Sequence, residues 1–420
     1  MPIVNFSTPF VPGALAVAAL VASFHVAEAS TGFSVLYAFC QQTSCADGAT
    51  PEGGLMADQK GNLYGTTYYG GANGYGAAFE VAPDGAEIVL YSFCPAAQKE
   101  TYRCTDGAFP RAPLMESGGS LYGTTDSGGA KNKGTVFEIS SGSTETVLYS
   151  FCSQEECADG AHPDAGVVMD GAGNLYGTTY QGGSTNCPKG CGTVFELAPD
   201  GTETVLYSFC SEAKCTDGAL PEAQLMESSG SLYGTTASGG AANKGTVFEV
   251  SSAGTETVLY SFCGQQKCAD GAGPAAGVIM DSTGNLYGTT QRGGNTNCPG
   301  GCGIVFELPA NGGETLLYSF CPQGDCSSGA EPGSGELLDV GDGKALYGTT
   351  EAGGANGFGA VFKLSGETET VLHSFGNEDG DPSAGVIMMK GYLYGTTLGS
   401  FYQDDFGEVF KLGVGKNQNR

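Results

Sequence analysis

The pentapeptide Leu-Tyr-Gly-Thr-Thr occurs seven times in this chain, and no other feature constrains its fold as strongly. The copies follow one another at intervals of 47 to 60 residues and begin at Leu63, Leu121, Leu175, Leu232, Leu286, Leu346 and Leu393. Three other short apolar segments surround each copy in a constant order. All four segments are rich in β-branched and aromatic residues and too short for helices, so each unit is predicted to be four β-strands.

The unit around Leu175 illustrates the four strands. Strand A is predicted at residues 166–170, B at 175–179, C at 192–197 and D at 204–209, with short turns rich in Gly and Asp joining A to B and C to D. Seven such units predict a seven-bladed β-propeller, because each small sheet is apolar on both faces and only radially packed neighbours bury both. A β-solenoid is the alternative, but it needs shorter rungs without two tight hairpins per unit.

The two ends of the repeat region predict a closed ring. The region opens with a D-type strand at residues 33–39 that has no A, B or C before it, and it finishes with A, B and C but no D. The first strand is therefore predicted to complete the seventh blade, with the segment near Val35 beside the segment near Val409. This pairing removes the exposed edges that an open array would leave.

A second period of 111 residues relates blades two to five. Met115-Glu116-Ser117 recurs as Met226-Glu227-Ser228, and Asn186-Cys187-Pro188 recurs as Asn297-Cys298-Pro299. A unit of two blades has therefore been duplicated.

Several motifs recur together and in order over residues 33–412: Leu-Tyr-Ser-Phe, Asp-Gly-x-x-Pro, Asn-Leu-Tyr-Gly-Thr-Thr, Gly-Gly and Gly-Thr-Val-Phe-Glu. In this combination the chain resembles the GloVer tandem-repeat family of exported bacterial proteins, also called choice-of-anchor proteins. The resemblance implies a propeller-like protein of the cell envelope or the medium, and it supplies no activity. The cysteines elaborate the basic repeat, and residues 413–420 carry no recognisable anchor.

Residues 1–29 have the pattern of a secretory signal peptide. Their apolar run is too short to span a bilayer and leads to Ala27-Glu28-Ala29, a small-x-small cleavage pattern, although no Lys or Arg precedes the run. We therefore expect a secreted or periplasmic protein with no membrane span in the mature chain. It should consist of one propeller domain at residues 30–412 and a flexible tail at residues 413–420.

All 16 cysteines have a partner nearby in the sequence, which predicts eight disulfides in an oxidising compartment. The pairs are Cys40/Cys45, Cys94/Cys104, Cys152/Cys157, Cys187/Cys191, Cys210/Cys215, Cys263/Cys268, Cys298/Cys302 and Cys321/Cys326. Zinc would need four converging ligands, whereas these pairs are predicted to lie on different blades. The B–C and D–A connections leave a blade at the same end, so the disulfides should staple the loops of one face, where we expect binding.

The D–A crossings carry Asp-Gly-x-x-Pro, with aspartates at Asp47, Asp106, Asp159, Asp217, Asp270 and Asp379. One interpretation is turn chemistry, in which each carboxylate caps backbone N–H groups before the proline. The other is a rim of carboxylates near the channel that holds Ca²⁺. Calcium is the one cofactor that the sequence suggests.

Residues that break the repeat are better candidates for a ligand site than residues that recur in every blade. On the predicted loop face these candidates are Tyr68, Tyr69, Tyr75, Arg111, Arg292, Phe401, Tyr402, Asp404 and Asp405.

The charge and the catalytic residue types narrow the possible functions. A formal net charge of −28 repels phosphate backbones and anionic lipids, which argues against nucleic-acid or membrane binding. Catalysis has little support, because His162 and His373 are the only histidines after the predicted signal and no nucleophile, phosphate-loop or metal motif appears. His373 takes the tyrosine position of a D strand, which predicts packing. Three functions stay open: a monomeric module that binds a glycan, peptide or protein; a carboxylate-based hydrolase or lyase; and a structural envelope protein.

Overall fold

The computed structural model describes residues 32–95, 104–322, 324–399 and 405–414. Seven small antiparallel sheets stand in a ring around one axis, so the chain is a seven-bladed β-propeller, as the repeat predicts. The predicted signal peptide and most of the predicted tail lie outside the described residues. Within the described ranges, no helix has the length and apolarity that crossing a bilayer requires.

The strands fall into seven blades, with the strand bounds as follows. Strand β1 (Phe33–Ala38) precedes blade 1, which contains β2 (Met56–Ala57), β3 (Leu63–Thr67), β4 (Ala77–Val81) and β5 (Glu87–Ser92). Blade 2 contains β6 (Met115–Ser117), β7 (Ser120–Thr125), β8 (Thr135–Ile139) and β9 (Glu145–Ser150). Blade 3 contains β10 (Val168–Met169), β11 (Leu175–Thr179), β12 (Gly182–Gly183), β13 (Gly190–Leu197) and β14 (Glu203–Ser208). Blade 4 contains β15 (Met226–Ser228), β16 (Ser231–Thr236), β17 (Thr246–Ser251) and β18 (Glu256–Ser261).

The remaining blades follow the same plan. Blade 5 contains β19 (Ile279–Met280), β20 (Leu286–Thr290), β21 (Ile304–Leu308) and β22 (Thr315–Ser319). Blade 6 contains β23 (Ala330–Pro332), β24 (Leu338–Asp339), β25 (Leu346–Ala352), β26 (Ala360–Ser365) and β27 (Thr368–Ser374). Blade 7 contains β28 (Ile387–Met389), β29 (Tyr392–Thr397) and β30 (Glu408–Gly413). Four single-turn 3-10 helices lie in D–A crossings, at Thr43–Cys45, Glu155–Cys157, Ala213–Cys215 and Gln266–Cys268.

The ring closes through the N-terminal strand, which confirms the prediction. Strand β1 pairs antiparallel with β30 as the D strand of blade 7, with Tyr37 opposite Val409 and Val35 opposite Phe410. The hydroxyl of Thr396 in blade 7 also donates to the carbonyl of Gly53 in blade 1, at 3.1 Å. A sheet ladder therefore holds the first strand of the chain in the last blade, and a side-chain bond joins the last blade to the first.

In the described part of the chain, the first threonine of the repeated pentapeptide links neighbouring blades at six of the seven joints. Thr66 Oγ1 donates to the Ala112 carbonyl of blade 2 at 2.9 Å. Equivalent bonds join other neighbouring blades at Thr124 to Ala165, Thr178 to Ala223, Thr235 to Ala276 and Thr349 to Ala384. The recurrence of this residue therefore reflects packing between blades.

Phenylalanine pairs form the core of the joints between blades. Phe39 of blade 7 meets Phe79 of blade 1 edge to face, with ring centroids 4.9 Å apart, a geometry worth about 0.5–1.5 kcal/mol beyond area burial. Gly65 of the pentapeptide makes room for this ring, since a Cβ there would lie 2.6 Å from Phe79 Cζ. The same contact recurs in all seven blades. The glycine is therefore required by the ring opposite it in its own blade.

A group of polar side chains stands at the outer edge of the joints. Tyr37 donates to Asp47 at 2.8 Å and lies 3.5 Å from Glu87 of the next blade. Burial and the charge of Asp47 raise the pKa of Glu87 to about 7. Burial also raises the pKa of the other D-strand glutamates to about 7: Glu145, Glu203, Glu256, Glu314 and Glu369. These carboxyl groups therefore keep their protons at mildly acidic pH in the folded protein.

The joint between blades 6 and 7 replaces this polar group by an aromatic one. His373 takes the tyrosine position and Phe33 the glutamate position, and their rings stack with centroids 3.9 Å apart. His373 also packs edge-on against Phe375, and burial lowers its pKa. Its contacts are those of the packing role that the sequence predicts.

Candidate functional site at the loop face

The six Asp-Gly aspartates lie in separate crossings and are occupied by local hydrogen bonds. Asp159, for example, is buried and accepts from the Tyr149 hydroxyl and the Ser153 amide, both at 2.8 Å. Among the described residues, only cysteines form groups of three or more metal-ligand side chains within 4.8 Å of one another. The aspartates therefore do not converge on a Ca²⁺ site, and their contacts are those of turn chemistry.

All eight predicted disulfides form, and no cysteine is free in the part of the chain that is described. The prediction that the pairs lie on different blades, so that four cysteines do not converge, is wrong for four of the eight pairs. Cys187, Cys191, Cys210 and Cys215 of blade 3 have all four sulfur atoms within 4.8 Å. Cys298, Cys302, Cys321 and Cys326 of blade 5 repeat the arrangement. The reason is that the B–C loop of a blade lies against the D–A crossing that follows the same blade.

The B–C loops and D–A crossings together form one face of the disc, here called the loop face. At its centre lies a cavity of about 470 Å³, here called the mouth. It is lined by Glu52, Arg111, Asp164, Tyr180, Glu222, Ser334, Glu351, Ser383 and Leu398. Most of these residues follow either the proline of a D–A crossing or the second threonine of the pentapeptide. These two positions recur in every blade, but the residue type at them varies from blade to blade.

Arg111 is the one cation of the mouth and is held between acidic groups. Its Nη2 and Nε lie 2.8 and 2.9 Å from Glu52 Oε2, and its Nη1 lies 3.7 Å from Asp164 Oδ2. The guanidinium also stands over the Tyr68 ring, with Cζ 5.2 Å from the centroid. Arg111 is thereby fixed in place by one ion pair on each side and an aromatic ring.

The aromatic candidates next to Arg111 come together in one cluster. Tyr68 stacks on Phe109 with centroids 5.1 Å apart, and Tyr69 and Tyr75 pack against the same Phe109 ring. Tyr69 is 40% exposed. Burial raises the pKa of Tyr68 to about 12. The sequence missed Phe109, which is the centre of this cluster.

A charged chain of side chains continues from the mouth toward blade 3. Lys133 Nζ lies 3.1 Å from His162 Nε2, and His162 Nδ1 lies 3.2 Å from Asp126 Oδ1. An ammonium group can only donate, so Nε2 accepts and the proton of the neutral ring sits on Nδ1, which donates to Asp126. The Ser127 hydroxyl also donates to Asp126, at 2.6 Å.

Asp126 and Asp164 are neighbouring carboxyl groups with opposite pKa shifts. Burial raises the pKa of Asp164 to about 7, the Arg111 guanidinium opposes the rise, and the charge of Asp126 adds to it. Burial also acts to raise the pKa of Asp126, but hydrogen bonds from His162 and Ser127 outweigh it and lower that pKa. Asp164 Oδ1 is buried and has no hydrogen-bond partner among the described residues.

These groups line a cavity of about 840 Å³ beside the mouth, here called the first side cavity. Arg111, Asp126, Lys133, His162 and Asp164 form one wall, and Tyr180 and the disulfide-closed loop at residues 187–190 form the other. Its volume lies in the range of small-ligand clefts, about 300–1,000 Å³. It offers hydrogen-bond donors and acceptors close together.

A second side cavity of about 760 Å³ lies between blades 4 and 5 and contains Arg292. Lys133 of the first cavity corresponds to Lys244 of the second, 111 residues later, and Cys157, Ala161, Thr185, Cys187 and Gly190 also have identical counterparts in the second lining. Other lining positions differ. The counterparts of Arg111, Asp126, His162, Asp164 and Tyr180 are Glu222, Ala237, Gly273, Ala275 and Gln291. Arg292 is therefore separate from the Arg111 group.

The remaining predicted candidates lie away from these cavities or outside the description. Asp405 accepts from the Gly407 amide at 3.1 Å and helps to raise the pKa of the partly buried Asp381, after burial itself. It does not line the mouth or the side cavities. Phe401, Tyr402 and Asp404 lie outside the described residues.

Below the mouth, glycines and residues with long side chains alternate between neighbouring blades around the axis. A Cβ at Gly277 would lie 2.5 Å from Glu336 Oε1, and one at Gly166 would lie 3.3 Å from Gln224 Oε1. Glycines in some blades thus make room for long side chains from others. Burial raises the pKa of Glu336 to about 7.

Sequence reasoning found Arg111 and Tyr68 but missed Asp126, Asp164 and the role of His162. These three come from two different connections and meet only because the B–C loop of blade 2 lies against the next D–A crossing. A signal was present, since comparing residues 111 apart places them among the positions where the duplicated blades differ.

Comparisons with known proteins identify a repeat family and distant structural relatives. A family model described as the Gloeobacter/Verrucomicrobia repeat matches residues 22–187, 154–332 and 265–419. None of the curated proteins matches the chain. Similar solved structures include a PL25 ulvan lyase, with TM-score 0.48 and 10% identity over 87% of this chain and 94% of that one. A luciferin-regenerating enzyme has TM-score 0.42 and 11% identity over 91% and 96%. A puromycin hydrolase has TM-score 0.45 and 12% identity over 83% and 50%.

Proposed function

Because this chain belongs to the Gloeobacter/Verrucomicrobia repeat family, whose name specifies no activity, we propose its function from its own loop face. We propose that it is an exported binding module that holds a short, uncharged oligosaccharide in the mouth and the first side cavity. Export is supported by the eight disulfides, which are typical of oxidising compartments, and by the predicted signal peptide.

The observation that carries this proposal is the cluster of hydrogen-bonding side chains around Asp164, which the second side cavity lacks. Asp164 lines both the mouth and the first side cavity, beside Arg111 in both and beside Asp126 and His162 in the side cavity. Hydrogen bonds from a ligand to charged groups such as these contribute about 1.5–3 kcal/mol each. Sugar hydroxyls both donate and accept, which suits a wall that carries Arg111 and His162 beside two carboxyl groups.

The charge of the molecule supports an uncharged ligand. Arg111 is already paired with Glu52, so the mouth keeps an excess of carboxyl groups. A chain of net charge −28 repels polyanions over a Debye length, and this disfavours acidic polysaccharides. The Tyr180 ring lines both cavities and is available to pack against the apolar face of a sugar ring.

The test is a binding screen of the full chain against uncharged oligosaccharides, followed by calorimetry on those that bind. We expect at least one ligand with a micromolar Kd, and Asp164→Ala should weaken it at least tenfold. Arg292→Gln in the second side cavity is the matched control and should leave the Kd unchanged. Binding of cationic peptides but of no sugar, or equal loss in both variants, would contradict the proposal.

A hydrolase or lyase is the second candidate, and the Asp126–Asp164 pair favours it. Neighbouring carboxyl groups whose pKa values are pushed apart are a common arrangement for acid–base chemistry, and Asp164 titrates near neutral pH. Mass spectrometry of the oligosaccharide after incubation distinguishes the outcomes, because hydrolysis adds one water and elimination adds none. Turnover that is lost in Asp126→Asn and Asp164→Asn would establish catalysis; an unchanged ligand would leave binding alone.

A further inference from the structure

The two cysteine quartets are the feature that the proposed function does not use. Cys187, Cys191, Cys210 and Cys215 lie together in blade 3, and the quartet of blade 5 repeats them 111 residues later. In the described part of the chain, no other disulfide has a third ligand-type side chain within 4.8 Å. The pairing of a B–C loop disulfide with a D–A disulfide is therefore specific to these two blades.

The positions of the sulfur atoms match those of a metal tetrathiolate. Zinc–sulfur bonds of about 2.3 Å in a tetrahedron place neighbouring sulfurs about 3.8 Å apart. Cys298 Sγ and Cys326 Sγ, which belong to different disulfides, are 3.9 Å apart. All four sulfurs of each quartet already fit within 4.8 Å. Reduction would therefore leave four thiols that need only side-chain rotation to surround one ion.

Burial gives each quartet a protected side and an accessible one. Cys191 and Cys210 are buried, whereas Cys187 and Cys215 are partly exposed. A reductant thus reaches the outer sulfurs, while the inner sulfurs stay anchored against the blade core beside Phe209. The outer loops are also cavity walls, since Cys187 lines the first side cavity and Cys298 lines the second.

We infer that each quartet is a redox-dependent zinc site, with two disulfides in the oxidised protein and one tetrathiolate-bound Zn²⁺ in the reduced protein. A thiol or phosphine reductant supplies four electrons, and with four protons they convert two disulfides into four thiols. Binding of Zn²⁺ then releases four protons as the thiolates form. The bound metal then holds the B–C loop against the D–A crossing in place of the disulfides. The walls that Cys187 and Cys298 contribute to the two side cavities therefore keep their positions in the reduced protein.

The test uses the full chain, reduced under native conditions with a phosphine and titrated with Co²⁺ or Zn²⁺. We expect two ions per chain and the visible absorption of tetrahedral Co²⁺–thiolate, which Zn²⁺ removes. Alkylation followed by mass spectrometry then compares the cysteines within one molecule. The eight quartet cysteines should be protected by Zn²⁺, while the eight of the isolated disulfides should be labelled: Cys40, Cys45, Cys94, Cys104, Cys152, Cys157, Cys263 and Cys268.

Matched variants separate the quartets from the other disulfides. Cys191→Ser should reduce the stoichiometry from two ions to one, and Cys157→Ser, in an isolated disulfide, should leave it at two. Uniform labelling of all 16 cysteines, equal effects of the two variants, or unfolding of the reduced chain despite Zn²⁺ would each overturn the inference. Circular dichroism on the same samples identifies the unfolded case.

Discussion

The two side cavities share one backbone frame and several identical lining residues, but they differ in most of the charged side chains that line them. His162 and its counterpart Gly273 both adopt left-handed backbone conformations, at φ 55° and 61°. The amide of each donates to a lysine carbonyl at 2.8 Å, from Lys133 in the first cavity and Lys244 in the second. The frame thus forms equally well around two linings with different charged side chains: Asp126, His162 and Asp164 in the first cavity, and Lys267 and Arg292 in the second.

This difference separates residues that the fold needs from residues that it does not. The first cavity carries an arginine, two aspartates, a histidine and a tyrosine where the second carries Glu222, Ala237, Gly273, Ala275 and Gln291. Bringing charged groups together under partial burial costs free energy, and the second cavity shows that folding does not require Asp126, His162 and Asp164 at these positions. This difference supports the proposal that the group holds a ligand. Exchanging or perturbing the two linings tests that proposal.

The largest effect is expected from giving the first cavity the lining of the second, by Asp126→Ala, His162→Gly and Asp164→Ala in one chain. Affinity for the oligosaccharide should fall about 100-fold or more, because two or more bonds to charged groups, worth about 1.5–3 kcal/mol each, are lost. Calorimetry measures the loss. The unfolding free energy should change by less than about 1 kcal/mol, because the frame of the second cavity tolerates these residues.

The control for this exchange is Gln291→Tyr, which restores one residue of the first lining in the second cavity and should leave affinity unchanged. A triple variant that binds the oligosaccharide as tightly as the wild type would show that the first side cavity is not the binding site. A triple variant that fails to fold would show that the frames are not equivalent.

A smaller effect is expected for Arg111→Met. This change leaves Glu52 without its ion-pair partner and removes a donor from the mouth, so affinity should fall about tenfold and the unfolding free energy by about 1–2 kcal/mol. Urea denaturation and calorimetry give the two quantities. Glu222→Gln, at the counterpart position, should alter stability by less than half as much. Equal destabilisation in both variants would mean that the ion pair of Arg111 contributes no more to stability than the side chain at the counterpart position.

The frame was predictable from the sequence and the lining was not, for a physical reason. Residues equivalent to Gly65, Thr66 and Phe79 recur in every blade because the ring packing repeats in all seven blades and the threonine bond at six joints, so repetition exposes them. Asp126 and Asp164 occur once, and their meeting depends on how a B–C loop sits against a crossing. The same contact between a B–C loop and a crossing explains why the sequence analysis wrongly excluded four converging cysteines. Cys191 and Cys210 belong to different connections in the sequence, but the fold brings them together.

The pH dependence of stability should change when Asp164 is substituted but not when its counterpart Ala275 is substituted. The pKa of Asp164 is about 7 in the folded chain and about 3.9 when unfolded. Its contribution is therefore complete below the unfolded value and lost as pH rises through about 7. Asp164→Asn cannot ionise, so its stability relative to the wild type should rise by about 2–3 kcal/mol between pH 5 and pH 8. Thermal unfolding at both pH values checks this, and Ala275→Asn should show no such change. A flat difference for Asp164→Asn would refute the shift.

The smallest effect concerns the shared frame, where both halves of the duplication should respond alike. Glu145 and Glu256 stand 111 residues apart, and burial followed by the charge of a neighbouring aspartate raises the pKa of each to about 7. Ionisation therefore destabilises the fold as pH rises from about 5 to 8. Glu145→Gln and Glu256→Gln should each gain less than about 1 kcal/mol relative to the wild type over that interval, because these groups are partly solvated. Unequal gains would mean that the backbone frames of the two halves differ. The contrast between the two cavities could then not be attributed to their lining residues alone.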